Sequence, residues 1–426
     1  MTITRRVLMR NGAMAVVGTA AIPSFLTRTL YAAVTPVVQK KQRVVVLFQR
    51  GAADGLNIVV PHAESYYYQA RASIAIPRDQ VLDLDGFFGL HPALAEFKPL
   101  WDGKQLAIVH AAGSPDPSRS HFDAQDYMES GTPGYKATVD GWLNRALQAQ
   151  DEHDVSRRIR EKVSPFRAVS MGPDVARTLQ GKSSAIAISN VANFAVGGPN
   201  PNAAPLSAIF ETMYDHSTAS LLRGTGAETF EAIKMLKASD PGHYTPAHGA
   251  QYPPGQFGDS MRQIAQLLKA NLGVEVAFAD IGGWDHHVNE GNVEGQLARS
   301  LRDFSQGIAA FWQDMGDQAE DVTLISMSEF GRTVRQNGTG GTDHGHANVM
   351  FILGGQVKGG KVYGRWPGLN PEQLYQNRDL AVTTDYRQVV AEAIWKNLSA
   401  RDMELVFPRA GIRPETFLNY LPPASA

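Results

Sequence analysis

"VTLISMSEFGRTVRQNGTGGTDHGHANVMFILGG", residues 322–355, holds two apolar runs, 322–328 and 349–355. The glycine-rich connection between them carries Glu329, Arg332, Asp343, His344 and His346. Each run is short and bounded by turn residues, as expected of a strand buried on both faces. Five more runs read the same way: "RVVVLF" (43–48), "QLAIVHAAG" (105–113), "FRAVSM" (166–171), "SAIAIS" (184–189) and "VEVAFADIGG" (274–283). Stretches 91–102, 258–273, 294–316 and 385–398 have helical spacing. Doubly buried strands alternating with amphipathic helices predict an α/β fold with a mostly parallel central sheet. Residues 195–255, rich in Gly, Pro, Asn and Ala, read as a loop-rich insertion or cap around one helical pattern at 205–237.

In an open α/β sheet, ligands bind beyond the carboxyl ends of the strands. Four runs end in polar groups there. Asp54 follows the first, and Ser118, Arg119, Ser120 and His121 follow the second. Asp285, His286 and His287 follow 274–283, and Glu329 with Arg332 follows 322–328. His344 and His346 precede their run, so they join that edge only if 349–355 lies antiparallel to the rest. Singly, each group has an ordinary structural role open to it: Asp54 beside glycines can shape a turn, and Glu329 with Arg332 can be a plain ion pair. Together they form a set that suits one or two divalent ions, zinc or manganese, held by imidazole and carboxylate. Ser118 and Ser120 are the candidate nucleophiles, and Arg119 and Arg332 the candidate partners of an anionic ester.

The chain has 426 residues, 43% hydrophobic and 19% charged, with a net charge of −2 and no long basic or acidic block. That balance belongs to a globular protein without a nucleic-acid footprint. There is no cysteine, which excludes disulfides, thiolate nucleophiles and sulfur-ligated metals. A nucleophile elbow, H-E-x-x-H, a Walker A loop and a dinucleotide fingerprint are absent from the sequence. "DLDG" (83–86) opens like a calcium loop, but its twelfth position is Leu94.

Residues 1–33 have a basic start with Arg5-Arg6, an apolar stretch from Ala13 to Leu26, and Ala32-Ala33. This reads as a twin-arginine signal peptide, leaving 34–426 as the mature domain in the periplasm or secreted medium. No later segment reaches the roughly 18 apolar residues of a membrane span, so none is expected in the mature protein.

"FQRGAADGLNIVVP" (48–61), "FGLHPAL" (88–94), "SRSHFDAQDYMESGT" (118–132), "DIGGWDHH" (280–287), "SMSEFGRTVRQNGTGGTDHGH" (326–346) and "GGKVYG" (359–364) resemble the exported family known as domain of unknown function 1501. That family is grouped with the alkaline phosphatase and sulfatase superfamily. The resemblance implies a three-layer α/β sandwich with a metal site at the strand ends. It implies Asp54 as a ligand of one metal, Asp285 and His287 as ligands of the other, Glu329 in place of an aspartate, and His344 or His346 closing the site. A hydroxyl nucleophile would fall at Ser118 or Ser120. Phe330 stands where the superfamily has a ligating histidine, for which His121 or the second histidine of His-Gly-His is the candidate substitute. Pro115 replaces the residue that sulfatases convert to formylglycine. The expected function is hydrolysis of small phosphate or sulfate esters by in-line displacement at a metal site. The alternative is a catalytically degenerate relative that serves as a surface, assembly or binding protein.

Overall fold

Val44 to Phe48 are wholly buried, and they show how the molecule is layered. Val45 and Leu47 enter one hydrophobic cluster and Val44, Val46 and Phe48 another, as the two-residue period of a strand requires when both faces are covered. The structure is a computed structural model that describes residues 42–136, 138–153, 163–192, 235–236 and 243–423. The chain divides into Met1–Lys40, outside the described residues, and Lys41–Ala426, to which everything below belongs.

Among the described residues nine strands form one sheet. In chain order they are β1 (Arg43–Gln49), β2 (Leu106–Gly113), β3 (Ala168–Met171), β4 (Ile186–Ile188), β5 (Val276–Ile281), β6 (Val322–Ser328), β7 (Asn348–Gly354), β8 (Lys361–Tyr363) and β9 (Thr384–Asp385). Their spatial order is β8-β2-β7-β6-β1-β5-β3-β4, with β9 also paired to β2. Five helices matter here: α1 (His121–Ser130), α2 (Trp142–His153), α3 (Gln256–Lys269), α4 (Gln296–Met315) and α5 (Tyr386–Asn397). Leu297, Leu301, Phe304, Ile308 and Phe311 form the apolar stripe of α4 and pack with α3 on one face. Leu143 and Leu147 of α2, with Val389, Val390 and Ile394 of α5, cover the other. This is the expected three-layer α/β arrangement.

β7 is antiparallel to both its neighbours, Ile352 facing Ile325 of β6 and Phe351 facing Ile108 of β2. The other pairings in this sheet are parallel. The amino end of β7 therefore lies at the carboxyl ends of its neighbours, the condition under which residues 338–347 reach the polar edge. The register of β7 against β2 shifts between Asn348 and Met350. There Asn348 Nδ2 donates to the carbonyls of Ala53 (2.9 Å) and Phe330 (2.7 Å), tying the loops after β1 and β6 to the start of β7.

The insertion expected at 195–255 lies largely outside the described residues, as do the segment 1–33 and the pattern at 205–237. Its described end is anchored on the buried Asp314 of α4, which accepts from Tyr244 Oη, Tyr252 Oη and the Ala247 amide, each at 2.7 Å. Residues 83–86 form a turn, Asp83 accepting from the Gly86 amide and Asp85 from those of Phe87 and Phe88. No helix among the described residues is long and apolar enough to cross a membrane.

Candidate metal centre

Two loops that are far apart in sequence are joined edge to edge above the sheet. The amides of Asn289, Glu290 and Thr342 donate to the carbonyls of Thr339 (3.0 Å), Gly340 (2.9 Å) and His286 (3.1 Å). Asn337 Nδ2 and Thr339 Oγ1 both donate to the His287 carbonyl, at 2.9 and 2.8 Å. This pairing sets His287 against His344. The glycine between His344 and His346 has a steric cause: a Cβ on Gly345 would lie 2.4 Å from the carbonyl carbon and oxygen of Arg332. Gly51, at φ +117°, lets the chain pass Asp285, whose amide nitrogen a Cβ would meet at 2.8 Å.

Three imidazoles are held by Nδ1 and turned inward by Nε2. His121, first residue of α1, has Nδ1 2.8 Å from Glu329 Oε1. His344 Nδ1 is 2.8 Å from the Arg119 carbonyl, and His287 Nδ1 is 3.3 Å from Asp343 Oδ1. A carbonyl or carboxylate can only accept, so Nδ1 of His121 and of His344 carries the proton and leaves Nε2 to ligate, whereas His287 Nδ1 has an ion-pair contact with Asp343. His287 Nε2 lies 2.9 Å from His344 Nε2 and 3.0 Å from Asp285 Oδ1. His344 Nε2 is 3.6 Å from that same oxygen, and His121 Nε2 is 3.5 Å from Asp285 Oδ2. Ligand atoms about 2.0–2.1 Å from a tetrahedral ion stand roughly 3.3 Å apart, close to these spacings, and Asp285 Oδ1 also accepts from Arg332. His121, Asp285 and His344 each offer an atom within 4.8 Å of the others. His121 Nε2 is buried and has no hydrogen-bond partner among the described residues, an atom that a cation would satisfy.

The charges around the cluster act on its members in opposite senses. Burial works against the Asp285 carboxylate, but the hydrogen bond and charge of Arg332, with those of His287 and His121, outweigh it and hold its pKa below the ordinary value. Burial opposes the Glu329 carboxylate too, and the hydrogen bonds from His121, Gln125 Nε2 (2.9 Å) and the Gly51 amide (2.8 Å) lower its pKa. The hydrogen bond to Glu329 raises the pKa of His121. Burial lowers that of His344 and keeps its ring neutral, the form that ligates.

The family model described as Protein of unknown function (DUF1501) matches residues 101–406. The chain belongs to this family. The matched span of the DUF1501 chain contains every residue of the cluster, and Asp54 lies before it. No curated protein sequence matches the chain. Among solved structures it is similar to the lipoteichoic acid synthase LtaP from Listeria monocytogenes, with 9% identity and a TM-score of 0.30. The match covers 74% of this chain and spans about 65% of the length of that structure.

Against the sequence expectations, this DUF1501 chain brings together Asp285, His287, His344 and His121, with Glu329 behind His121. Glu329 stands behind His121, and its oxygens accept from His121, Gln125, the Gly51 amide and Ser328 Oγ. Of the two closing histidines it is His344 that faces the cluster. His346 is turned away, its Nε2 3.1 Å from the Ser114 carbonyl and its ring against Tyr375. Phe330 packs on the rings of both His121 and His344, with centroids 5.1 and 5.0 Å away, and shapes the wall behind them.

The structure gives the remaining expected residues other partners. Asp54 is buried and bound through both oxygens to Arg71, one bond at 2.9 Å, so its ligating atoms are already used on a guanidinium. Arg119 is bound through its side chain to Asp379 and Gln376 and serves the site by its carbonyl. Arg332 is buried and donates to the carbonyls of Ala52 (2.6 Å), Thr342 (3.1 Å), Gly51 (2.5 Å) and Trp284 (3.2 Å) as well as to Asp285, so it braces loops and has no spare edge for a substrate. Ser118 Oγ accepts from the Ser120 amide at 3.2 Å, and Ser120 Oγ caps α1 by accepting from the Asp123 amide. Among the described residues, His121, Asp285 and His344 form the one group whose ligand atoms could share an ion.

Asp343, Gln125 and Arg71 were missed as participants. Asp343 stands beside His344 in sequence and was legible there. Gln125 is one helical turn after His121, a relation visible once 121–130 is read as a helix. Arg71 lies in "YYQARASIA" without any local signal, because its partner Asp54 belongs to another element.

Proposed function

We propose that the chain is a metal-dependent hydrolase of small phosphate or sulfate esters, acting by in-line displacement with one divalent ion, zinc or manganese. His121, Asp285 and His344 would hold the ion, with His287 completing the set. The observation that carries this reading is the convergence of three imidazoles on Asp285. Bound there, a divalent ion supplies Lewis-acid polarisation of the ester oxygen and neutralises developing charge. Glu329 and the Arg119 carbonyl fix the tautomers of His121 and His344, and Arg332 keeps Asp285 ionised. Both candidate serines have turn and cap roles, so the attacking oxygen is assigned to water. We place this activity outside the cytoplasm, on the reading of residues 1–33 as a twin-arginine signal.

The test is metal analysis of the purified protein with turnover of aryl phosphate, phosphodiester and aryl sulfate substrates. One ion per chain and hydrolysis abolished in His121→Ala support the reading. An apo protein after exposure to zinc and manganese, with no turnover, contradicts it.

A further inference from the structure

Beside the metal centre, at the carboxyl ends of β1 and β5, a cavity of about 410 Å³ is lined by Arg50, Pro253, Pro254, Asp280, Ile281 and Asp303, among others. That volume lies within the range of small-molecule sites, roughly 300–1,000 Å³. A chain of contacts connects it to the cluster: Arg50 Nη1 donates to Gln125 Oε1 at 3.1 Å, Gln125 Nε2 to Glu329 at 2.9 Å, and Glu329 holds His121. Arg50 Nη1 also donates to Glu129 at 2.9 Å.

We propose that this cavity receives a neutral polyhydroxylated ring, a mono- or disaccharide unit, as the alcohol part of the ester cleaved at the metal centre. This deepens the hydrolase reading and rests on it. The cation of Arg50 is matched by Glu129 and Asp280. Asp280 and the exposed Asp303 line the cavity as hydroxyl acceptors that repel a second anion. Pro253, Pro254 and Ile281 give an apolar wall. Acceptor carboxylates beside an apolar wall match the hydroxyls and C–H faces of a sugar ring. A plain alkyl or aryl group would leave the carboxylates unused, and a charged leaving group would meet two like charges.

The experiment compares kcat/KM for glucose 6-phosphate and glucose 6-sulfate with hexyl phosphate and hexyl sulfate, using the zinc-loaded or manganese-loaded full chain. The sugar ester is preferred by tenfold or more. That preference falls by about tenfold in Asp303→Asn, which loses a charged acceptor. Equal turnover of sugar and alkyl esters, or a preference intact in Asp303→Asn, overturns the proposal and leaves the hydrolase reading standing. Calorimetric titration with maltose reads the cavity without turnover. Maltose binding that weakens in Asp303→Asn, with no ester cleaved, supports the cavity assignment and removes the hydrolase reading. Neither binding nor turnover overturns both.

Discussion

His287 and His344, 57 residues apart in sequence, have their Nε2 atoms 2.9 Å apart, and each ring has a partner at its Nδ1. His344 Nδ1 carries its proton, so its Nε2 presents a lone pair to His287 Nε2 at that distance. Such an arrangement is favourable only with a cation or a proton between them. The antiparallel direction of β7 and the pairing of residues 337–342 with 286–290 produce it.

Replacing Ser118 and Ser120 separates a water attack from a serine nucleophile. Ser118→Ala and Ser120→Ala are each expected to keep ester hydrolysis within a few-fold of the unmodified protein. Ser120→Ala costs about 0.5–1 kcal/mol of stability, because it removes an N-cap. Burst-phase kinetics check the first expectation and denaturant unfolding the second. A thousandfold loss of turnover in either variant would restore the serine.

On the proposed reading, Glu329 acts on metal affinity through His121. Glu329→Gln should weaken zinc or manganese binding by roughly 10–100-fold, the usual effect of removing the carboxylate behind a ligating histidine. The pH dependence follows from the raised pKa of His121. A proton competes for the ring up to a pH above the ordinary value of about 6.5, so metal affinity falls as pH drops through that raised value. In Glu329→Gln the fall moves to lower pH. In the metal-free protein the raised histidine contributes stability that is full below about pH 6.5 and lost as pH rises through the raised value, whereas the lowered Glu329 contributes above about pH 4.3. The pair therefore helps most between those limits. Metal titration and thermal melts across pH 4–9 test both statements.

The pair Asp54–Arg71 is predicted to hold the fold and no metal. Arg71→Met leaves a buried carboxylate without its cation and should cost about 3–5 kcal/mol. Asp54→Asn should cost less. Glu290 lies beside Asp54 in the same buried network, its pKa raised by burial and by Asp54, and can ionise in its place opposite Arg71. Neither change alters the number of ions bound. Metal analysis of Asp54→Asn decides the matter, and loss of the ion from a folded variant would return Asp54 to the ligand set.

Gly345→Ala is the steric test of the His-Gly-His segment. The added methyl meets the Arg332 backbone at 2.4 Å, so the segment must shift, and His344 shifts with it. Metal affinity is expected to fall by at least tenfold, since a ligating ring displaced by even a fraction of an ångström loses its place in the coordination sphere. Stability should change by about 1–3 kcal/mol, the usual cost of overpacking. Calorimetric metal titration beside chemical unfolding compares the two.

Much of the layered fold was legible because apolar runs such as 43–48 and 322–328 state their double burial directly. Asp285, His287, Glu329 and His344 were legible as a set for the same reason: strand ends predict where polar residues meet. The roles of Asp54, Arg119 and Arg332 were not, because a charged residue reads alike whether its partner is a ligand or a buried counter-ion. Asp54 meets Arg71 only through tertiary packing, and Arg119 meets Asp379, 260 residues away. The choice between His344 and His346 also needed the backbone, since Gly345 and the contact with Arg332 decide which ring faces the cluster.

Titration of the metal-free protein with zinc, in parallel for the unmodified chain, His344→Ala and His346→Ala, tests the central claim most directly. The account predicts one ion per chain for the unmodified protein and for His346→Ala, and none retained by His344→Ala at the same concentrations. Zinc binding that is absent from the unmodified chain, or unchanged in His344→Ala, would contradict it.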